Sequence, residues 1–388
     1  MKTAPRRKSD LETPCLILDS DIVGQNLQKM QQFADSKGKK LRPHAKTHKC
    51  TTLAKKQIER GAIGVCAAKV SEAEKLAAAG IEGILITGPV VTPQQIKKVV
   101  GLRSLSPSLM VTVDHEENIK NLSAALRQSN LILDVLLDID AGLKRTGTPP
   151  SNALTLAGKI LSEKNLRLRG IQAYAGHIQH IIPYEERKKA SYKCFEEVIP
   201  VFNTLKKEIE GFTIFSASGT GTIGIDSNIP EITEHQVGSY VCMDAEYLPV
   251  ENPLGVELSK NGKDSISFNA ALRLLTTVVS VNQKGFVTVD AGLKSLYSDG
   301  AVPQIFTREF AGQPKVDSSM AGMKYDWFGD EYGKIIYAED SKAPALGTVF
   351  ELIVSHCDPT INLFDRFYIT KGSEVVDTWE IDLRGCSQ

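Results

Sequence analysis

The chain has 388 residues, no net formal charge, and 42% apolar residues. That length accommodates one large domain plus a smaller one, and the apolar share supplies a sizeable core. Balanced charge gives no reason to expect nucleic acid or a membrane surface as partner, and no apolar run approaches the ~20 residues of a membrane helix.

Residues 1–8 are basic, but no apolar stretch follows them, so they do not read as a signal peptide. Seven scattered cysteines without a Cys-x-x-Cys pair suggest neither a disulfide framework nor a cysteine-rich zinc site. The expected compartment is reducing and cytoplasmic. A short apolar run at 14–19 comes first, and a helix is predicted over 22–35, with Asp19, Ser20 and Asp21 as N-cap candidates. From residue 40 a rhythm sets in. Apolar, β-branched runs at 40–46, 62–68, 83–89, 109–114, 131–140, 168–176, 212–219 and 235–244 alternate with charged, helix-like segments. One of these, 71–80, ends on a capping glycine, Gly80. Strands alternating with helices imply parallel βαβ units, and eight of them favour a closed (β/α)8 barrel of the TIM type over an open sheet. The absence of Gly-x-Gly-x-x-Gly after the first strand also weakens a dinucleotide-binding reading.

Near residue 270 the pattern changes. Residues 272–281 and 286–290 are β-rich and joined by Asn282-Gln283-Lys284-Gly285, a hairpin-like turn. Further β runs follow at 348–355, 366–369 and 374–379. The expected organisation is an α/β barrel over 21–269 and a mostly β domain over 270–388. A strand within 1–20 is expected to pair with that domain.

A barrel places its chemistry at the carboxyl ends of the strands, with phosphate often after strands 7 and 8. Strand 1 ends at Lys46, inside Arg42-Pro43-His44-Ala45-Lys46-Thr47-His48-Lys49. A lysine there can form an imine with an aldehyde cofactor, and the neighbouring cations and desolvation are expected to lower its pKa. Strand 5 leads into a glycine-rich loop holding Arg145; strand 6 ends at Tyr174, followed by His177 and His180. Strand 7 ends in Ser218-Gly219-Thr220-Gly221-Thr222, suited to phosphate because glycines expose amides and hydroxyls add donors. Strand 8 carries Gly238-Ser239-Tyr240. Far downstream stands His356-Cys357-Asp358. On extended backbone His356 and Asp358 share a face, and an imidazole with a carboxylate suits Mn²⁺ or Mg²⁺ better than Zn²⁺. The plainer alternative is an interface histidine and an aspartate capping the turn at Pro359.

These motifs resemble those of the D-threonine aldolase and D-serine dehydratase group of fold-type III pyridoxal phosphate (PLP) enzymes, related to alanine racemase. The similarity runs essentially end to end. The resemblance implies a PLP barrel followed by a β domain, with Lys46 bonded to PLP. Arg145 and Tyr174 would lie at the ring, and Ser218, Gly219, Thr220, Gly238 and Tyr240 around the phosphate. His356 and Asp358 would hold a divalent metal, Mn or Mg first, with Zn also possible. The implied activity is metal-assisted cleavage of D-3-hydroxy amino acids such as D-threonine to glycine and an aldehyde. The enzyme would be a homodimer. His177 and His180 are the candidate bases, with a metal-bound hydroxide as the rival. The alternatives are a zinc-dependent D-serine or 3-hydroxy-D-aspartate dehydratase, a non-catalytic PLP-binding protein, and a racemase using Tyr297, Tyr325 or Tyr332. Arg273 or Arg308 could meet a side-chain carboxylate.

Overall fold

The computed structural model describes residues 6–251, 253–254, 268–306, 320, 322–338 and 341–388. Strands β1 (Arg6–Arg7) and β2 (Cys15–Asp19) lead into helix α1 (Ser20–Ser36). Asp19 ends the strand and starts the helix: its carboxylate accepts the Asp21 and Ile22 amides, each at 3.2 Å. Such a cap contributes about 1 kcal/mol. Ile22, Val23, Leu27, Met30 and Phe33 recur at helical spacing and are all buried.

Eight parallel strands follow. They are β3 (Lys40–Leu41), β4 (Cys66–Ala67), β5 (Leu85–Ile86), β6 (Met110–Val113), β7 (Leu133–Asp138), β8 (Leu166–Ala173), β9 (Ile214–Ala217) and β10 (Glu234–His235). Their order is β3-β10-β9-β8-β7-β6-β5-β4. A parallel bridge between His44 and Cys66 joins the two ends. There the Ala45 amide donates to the Cys66 carbonyl at 2.9 Å and the Cys66 amide to that of Pro43 at 2.8 Å. The eight runs thus form the barrel their rhythm predicts. Around it lie α2 (Thr51–Glu59), α3 (Val70–Ala78), α4 (Pro93–Leu105), α5 (Glu116–Gln128), α6 (Pro150–Leu161), α7 (Tyr184–Phe195), α8 (Val198–Glu208) and the single turn α9 (Ile223–Asp226).

Most strands are shorter than their apolar runs, and two of them end next to the pocket. Strand β3 stops at Leu41, where Pro43 lacks a ladder donor. Strand β10 stops at His235, and the chain then folds into a 3-10 turn over Ser239–Val241. After β3 the Arg42 and His44 amides still donate across to the His235 and Val237 carbonyls, each at 3.0 Å.

The second sheet is built from β11 (Leu272–Ser280), β12 (Phe286–Val289), β13 (Gln304–Ile305), β14 (Lys324–Trp327), β15 (Gly333–Ile336), β16 (Val349–Ile353), β17 (Arg366–Lys371) and β18 (Glu374–Glu380), with α10 (Cys357–Ile361) between β16 and β17. Strands β11 and β12 are antiparallel across the expected turn. Strand β2 lies between β11, antiparallel, and β17, parallel, so the N-terminal run does join this sheet. Leu16, Leu18, Leu272, Leu352 and Phe367 form part of its apolar core. Among the described residues no helix is long and apolar enough to cross a membrane.

Candidate active site

One pocket opens at the carboxyl ends of the barrel strands. Loops after β3, β5, β7, β8, β9 and β10 line it, and His356 and Asp358 enter from the segment after β16. Lys46, with 37% of its side chain exposed, reaches this pocket, its Nζ 3.7 Å from Asp358 Oδ2. The cations adjacent in sequence do not crowd it. Arg42 is buried in a two-point pair with Glu234, at 2.9 and 3.0 Å. Lys49 is buried against Glu72 at 2.9 Å. Burial and the charges of Lys46 and Lys49 hold His44 well below the ordinary histidine range, so its ring is neutral. The expectation that neighbouring cations lower the Lys46 pKa is therefore corrected. Burial opposes its charge, but the Asp358 carboxylate and Tyr174 outweigh burial and hold the ammonium above its ordinary value.

The loops after β9 and β10 form a cradle. Among the described residues, the amides of Thr220, Gly238 and Ser239 have no acceptor. Gly219, Thr220, Gly238 and Ser239 all line the pocket. A Cβ on Gly238 would stand 2.4 Å from Thr47 Oγ1, one on Gly219 2.5 Å from Gln179 Oε1, and one on Gly221 2.0 Å from the Gln179 carbonyl. Glycine is what lets three backbone segments meet here. Free amides converging in a concavity suit a phosphate dianion. An amine at the pocket wall and this cradle together fit PLP. Ser218 and Tyr240 do not line the pocket. Ser218, at φ +70°, holds the loop from behind through His235 Nδ1 at 2.9 Å. The buried Tyr240 ring packs against Phe268, and its hydroxyl accepts from Gln57 Nε2 at 3.1 Å. Tyr240 supports the cradle through its amide, which donates to Thr220 Oγ1 at 3.1 Å.

Arg145 and Tyr174 line the same pocket. So do Asp138, Gln172 and Gln236, which belong to a buried polar chain that the sequence does not single out. Gln236 Nε2 donates to Gln172 Oε1 at 3.0 Å and to Ser216 Oγ at 2.9 Å, and Gln172 Nε2 donates to Asp138 Oδ1 at 2.9 Å. Burial pushes the Asp138 carboxyl up to about 6, against the pull of Gln172. Position at a strand end was the available signal, since all four side chains belong to β7–β10 or the residues just after them.

The rim is rich in carboxylates. His356 Nδ1 lies 3.2 Å from Asp244 Oδ2 and 3.3 Å from Glu246 Oε2, and Nε2 lies 4.0 Å from Asp358 Oδ1. Burial works against its charge, but Asp244, Asp358 and Glu246 overcome it and push His356 up to about 9. His180, with 43% of its side chain exposed, lies 3.7 Å from Glu246 Oε2, and its ring centroid is 6.5 Å from that of His356. Burial, only partly offset by Asp244, holds His180 below its ordinary value. One rim thus carries a charged imidazole and a neutral one.

The divalent metal expected at His356 and Asp358 is a correction. Among the described residues, no group of three or more His, Cys, Asp or Glu side chains could hold a metal ion. The nearby donors are committed elsewhere. Asp244 accepts from the Tyr247 and Cys357 amides as well as pairing with His356. Asp358 pairs with Lys46. The Cys357 thiol is buried, donates to the Met243 carbonyl at 3.3 Å and is pushed upward by burial.

Several other candidates fall outside the pocket. His177 sits on the outer surface, its Nε2 3.7 Å from Cys194 Sγ. Arg273 is buried and paired with Asp19 at 3.1 Å. Arg308 lies outside the described residues. Tyr325 is buried, donating to the Ala291 carbonyl at 2.9 Å; Tyr297 donates to Asp299 at 3.1 Å; Tyr332 is exposed. None of the three tyrosines lines the pocket.

Family models and relatives agree with this geometry. Residues 18–246 match the alanine racemase N-terminal domain and 271–370 a serine dehydratase domain. D-threonine aldolase of Arthrobacter sp is 34% identical over 380 residues, 97% of this chain and 94% of that protein. D-threo-3-hydroxyaspartate dehydratase of Delftia sp. (strain HT23) is 26% identical over 384 residues, 95% of this chain and 97% of that one. The crystal structure of D-threonine aldolase from Filomicrobium marinum superposes with a TM-score of 0.90 at 32% identity, covering 100% of this chain and 99% of that chain. With matches spanning both sheets and nearly the whole length, the chain belongs to the D-threonine aldolase and D-serine dehydratase family of alanine racemase-like, fold-type III PLP enzymes.

Proposed function

We propose that this enzyme cleaves the Cα–Cβ bond of D-3-hydroxy amino acids, releasing glycine and an aldehyde. The observation that carries this reading is the pair of imidazoles of opposite protonation, His180 and His356, in the same pocket as Lys46. The D configuration and the hydroxy amino acid class are supported by the named relatives, two aldolases and a dehydratase.

Bound to Lys46, PLP supplies an electron sink for the pair left on Cα when the bond breaks. The amides of Thr220, Gly238 and Ser239 would hold its phosphate, with Arg145 and Tyr174 at the ring. The chain's own side chains handle the protons. His180 is neutral at pH 7, so a ring nitrogen can take the β-hydroxyl proton as the carbonyl of the departing aldehyde forms. His356, charged below about pH 9, donates to the same oxygen and offsets its developing negative charge. Lys46, freed by the incoming substrate amine and kept protonated beside Asp358, returns a proton to Cα, which completes glycine. One proton leaves oxygen and one reaches carbon, so the cleavage balances without an oxidant or reductant.

A racemase would need a second base at the ring, and the tyrosines from the second sheet that could serve do not line the pocket. The deciding experiment is product identity from D-threonine with added PLP. Glycine and acetaldehyde in equal amounts are expected; 2-oxobutanoate and ammonia without glycine would overturn the reading in favour of a dehydratase. L-threonine run in parallel tests the configuration.

A further inference from the structure

Four residues separate Lys46 from Thr51, the first residue of α2. The Lys49 amide donates to the Ala45 carbonyl at 2.8 Å and the Cys50 amide to His48 Nδ1 at 3.2 Å, but these local bonds leave the start of α2 without a side-chain cap. Lys49 sits at φ +49°, a left-handed conformation unfavourable for a side chain with a Cβ. The residue preceding α2, Cys50, provides no side-chain cap. The missing contacts come from the far end of the chain. Asp382 Oδ1 accepts the Thr51 amide at 2.9 Å, and Asp382 Oδ2 accepts the Thr51 hydroxyl at 2.5 Å. The Leu383 amide donates to the carbonyl of the strained Lys49 at 2.9 Å. The same segment is anchored in both cores: Ile381 is buried in that of the second sheet and Leu383 in that of the barrel. Ser71 Oγ, next to the Glu72 that pairs with Lys49, donates to the Cys386 carbonyl at 3.1 Å.

We propose that Asp382 is a positioning residue for the PLP lysine: the segment 381–386 clamps residues 49–51 and so fixes where Lys46 meets the cofactor. The clamp lies beyond residue 370, where the second family match ends. A surface tail would leave Leu383 exposed and would not cap a helix 331 residues away in sequence. The inference rests on Lys46 as the residue that bonds PLP, but not on the retro-aldol reading. Product identity therefore does not bear on it.

The test uses the full chain stripped of PLP and titrated with it, following the visible absorbance and induced circular dichroism of the lysine-bound cofactor. D382A is expected to weaken PLP binding about tenfold, the size of a lost helix cap. It should also lower the induced circular dichroism per bound PLP, because the lysine no longer presents the ring in one orientation. D382N keeps an acceptor for the Thr51 amide and should stay within about threefold of the parent. A lowered thermal midpoint in D382A with affinity and dichroism unchanged would overturn the proposal and leave a purely structural tail. If D382A does not fold, T51A decides, since it deletes only the hydroxyl contact: unchanged affinity and dichroism there would be equally fatal. Borohydride reduction and peptide mapping of the parent keep the two premises apart. Label on a residue other than Lys46 defeats the site reading; label on Lys46 with an indifferent D382A defeats the clamp.

Discussion

The segment around Lys46 and the rim around His356 are both crowded with charge, yet they are built in opposite ways. Around Lys46 each buried cation has its own carboxylate, Arg42 with Glu234 and Lys49 with Glu72, and the buried histidines are neutral; burial lowers His48 to about 4. On the rim Asp244, Glu246 and Asp358 share one imidazolium, and His180 stays uncharged beside it. The first region has little left to titrate near neutral pH, which suits a fixed attachment point. The second is poised to move protons, which suits the chemistry. Pairing one region internally leaves the carboxylate beside Lys46, Asp358, as the link between the two.

The sharpest way to break this division is K46A. It should abolish the lysine-bound cofactor absorbance and lower turnover by at least about 10³-fold, while the thermal midpoint of the PLP-free protein changes little, since the side chain is 37% exposed and its ion pair is long. Retained absorbance would place the attachment point elsewhere. H180A attacks the other region. Turnover should fall roughly 10²- to 10⁴-fold, the range for loss of a general base, with the absorbance intact. Loss of both together would mean that the two regions are not separable.

The fold was far more legible in the sequence than the site. Eight β-branched runs with helices between them, a change of pattern near residue 270 and an apolar run ahead of α1 each reflect burial repeated at a fixed period, which is a local property of the chain. Lys46, Arg145, Tyr174, Gly219, Thr220 and Gly238 stand at or just after strand ends in the sequence, and all line the pocket. Side-chain direction was not legible. Ser218 and Tyr240 stand in the right loops but face the core, and His177 and His180, three residues apart, lie on different sides of one loop. The metal expectation failed for a related reason. Spacing can put His356 and Asp358 on one face, but it cannot reveal that Asp244, 112 positions earlier, already holds the imidazole.

The rim's charge should also register as stability. His356 is raised from its ordinary 6.5 to about 9 in the folded chain. A raised histidine contributes fully below about pH 6.5, and the contribution disappears as pH rises through about 9. The ceiling is roughly 3 kcal/mol. The difference in unfolding free energy between parent and H356Q should therefore be largest near pH 6 and close to zero above pH 9.5. Turnover of the parent should fall on the same alkaline limb, and H356Q should lack that limb. A stability difference that grows with pH would reverse the assigned charge.

Smaller effects separate the cradle from its backing. In G221A the new Cβ would meet a backbone atom, the Gln179 carbonyl, so the loop itself must shift. PLP affinity should drop about tenfold, with turnover near the parent's once PLP saturates. Y240F should do least. If the tyrosine hydroxyl touched the phosphate, removing it would weaken PLP binding as much as G221A does. In the structure that hydroxyl instead accepts from Gln57 Nε2, behind the pocket, and Tyr240 serves the cradle through its backbone amide, which phenylalanine keeps. The loss is then one buried hydrogen bond, about 1 kcal/mol of stability, with PLP affinity changed less than about threefold. A tenfold loss of PLP affinity in Y240F would mean that the ring turns into the pocket when the cofactor binds, and that the attachment region is less fixed than its pairing implies.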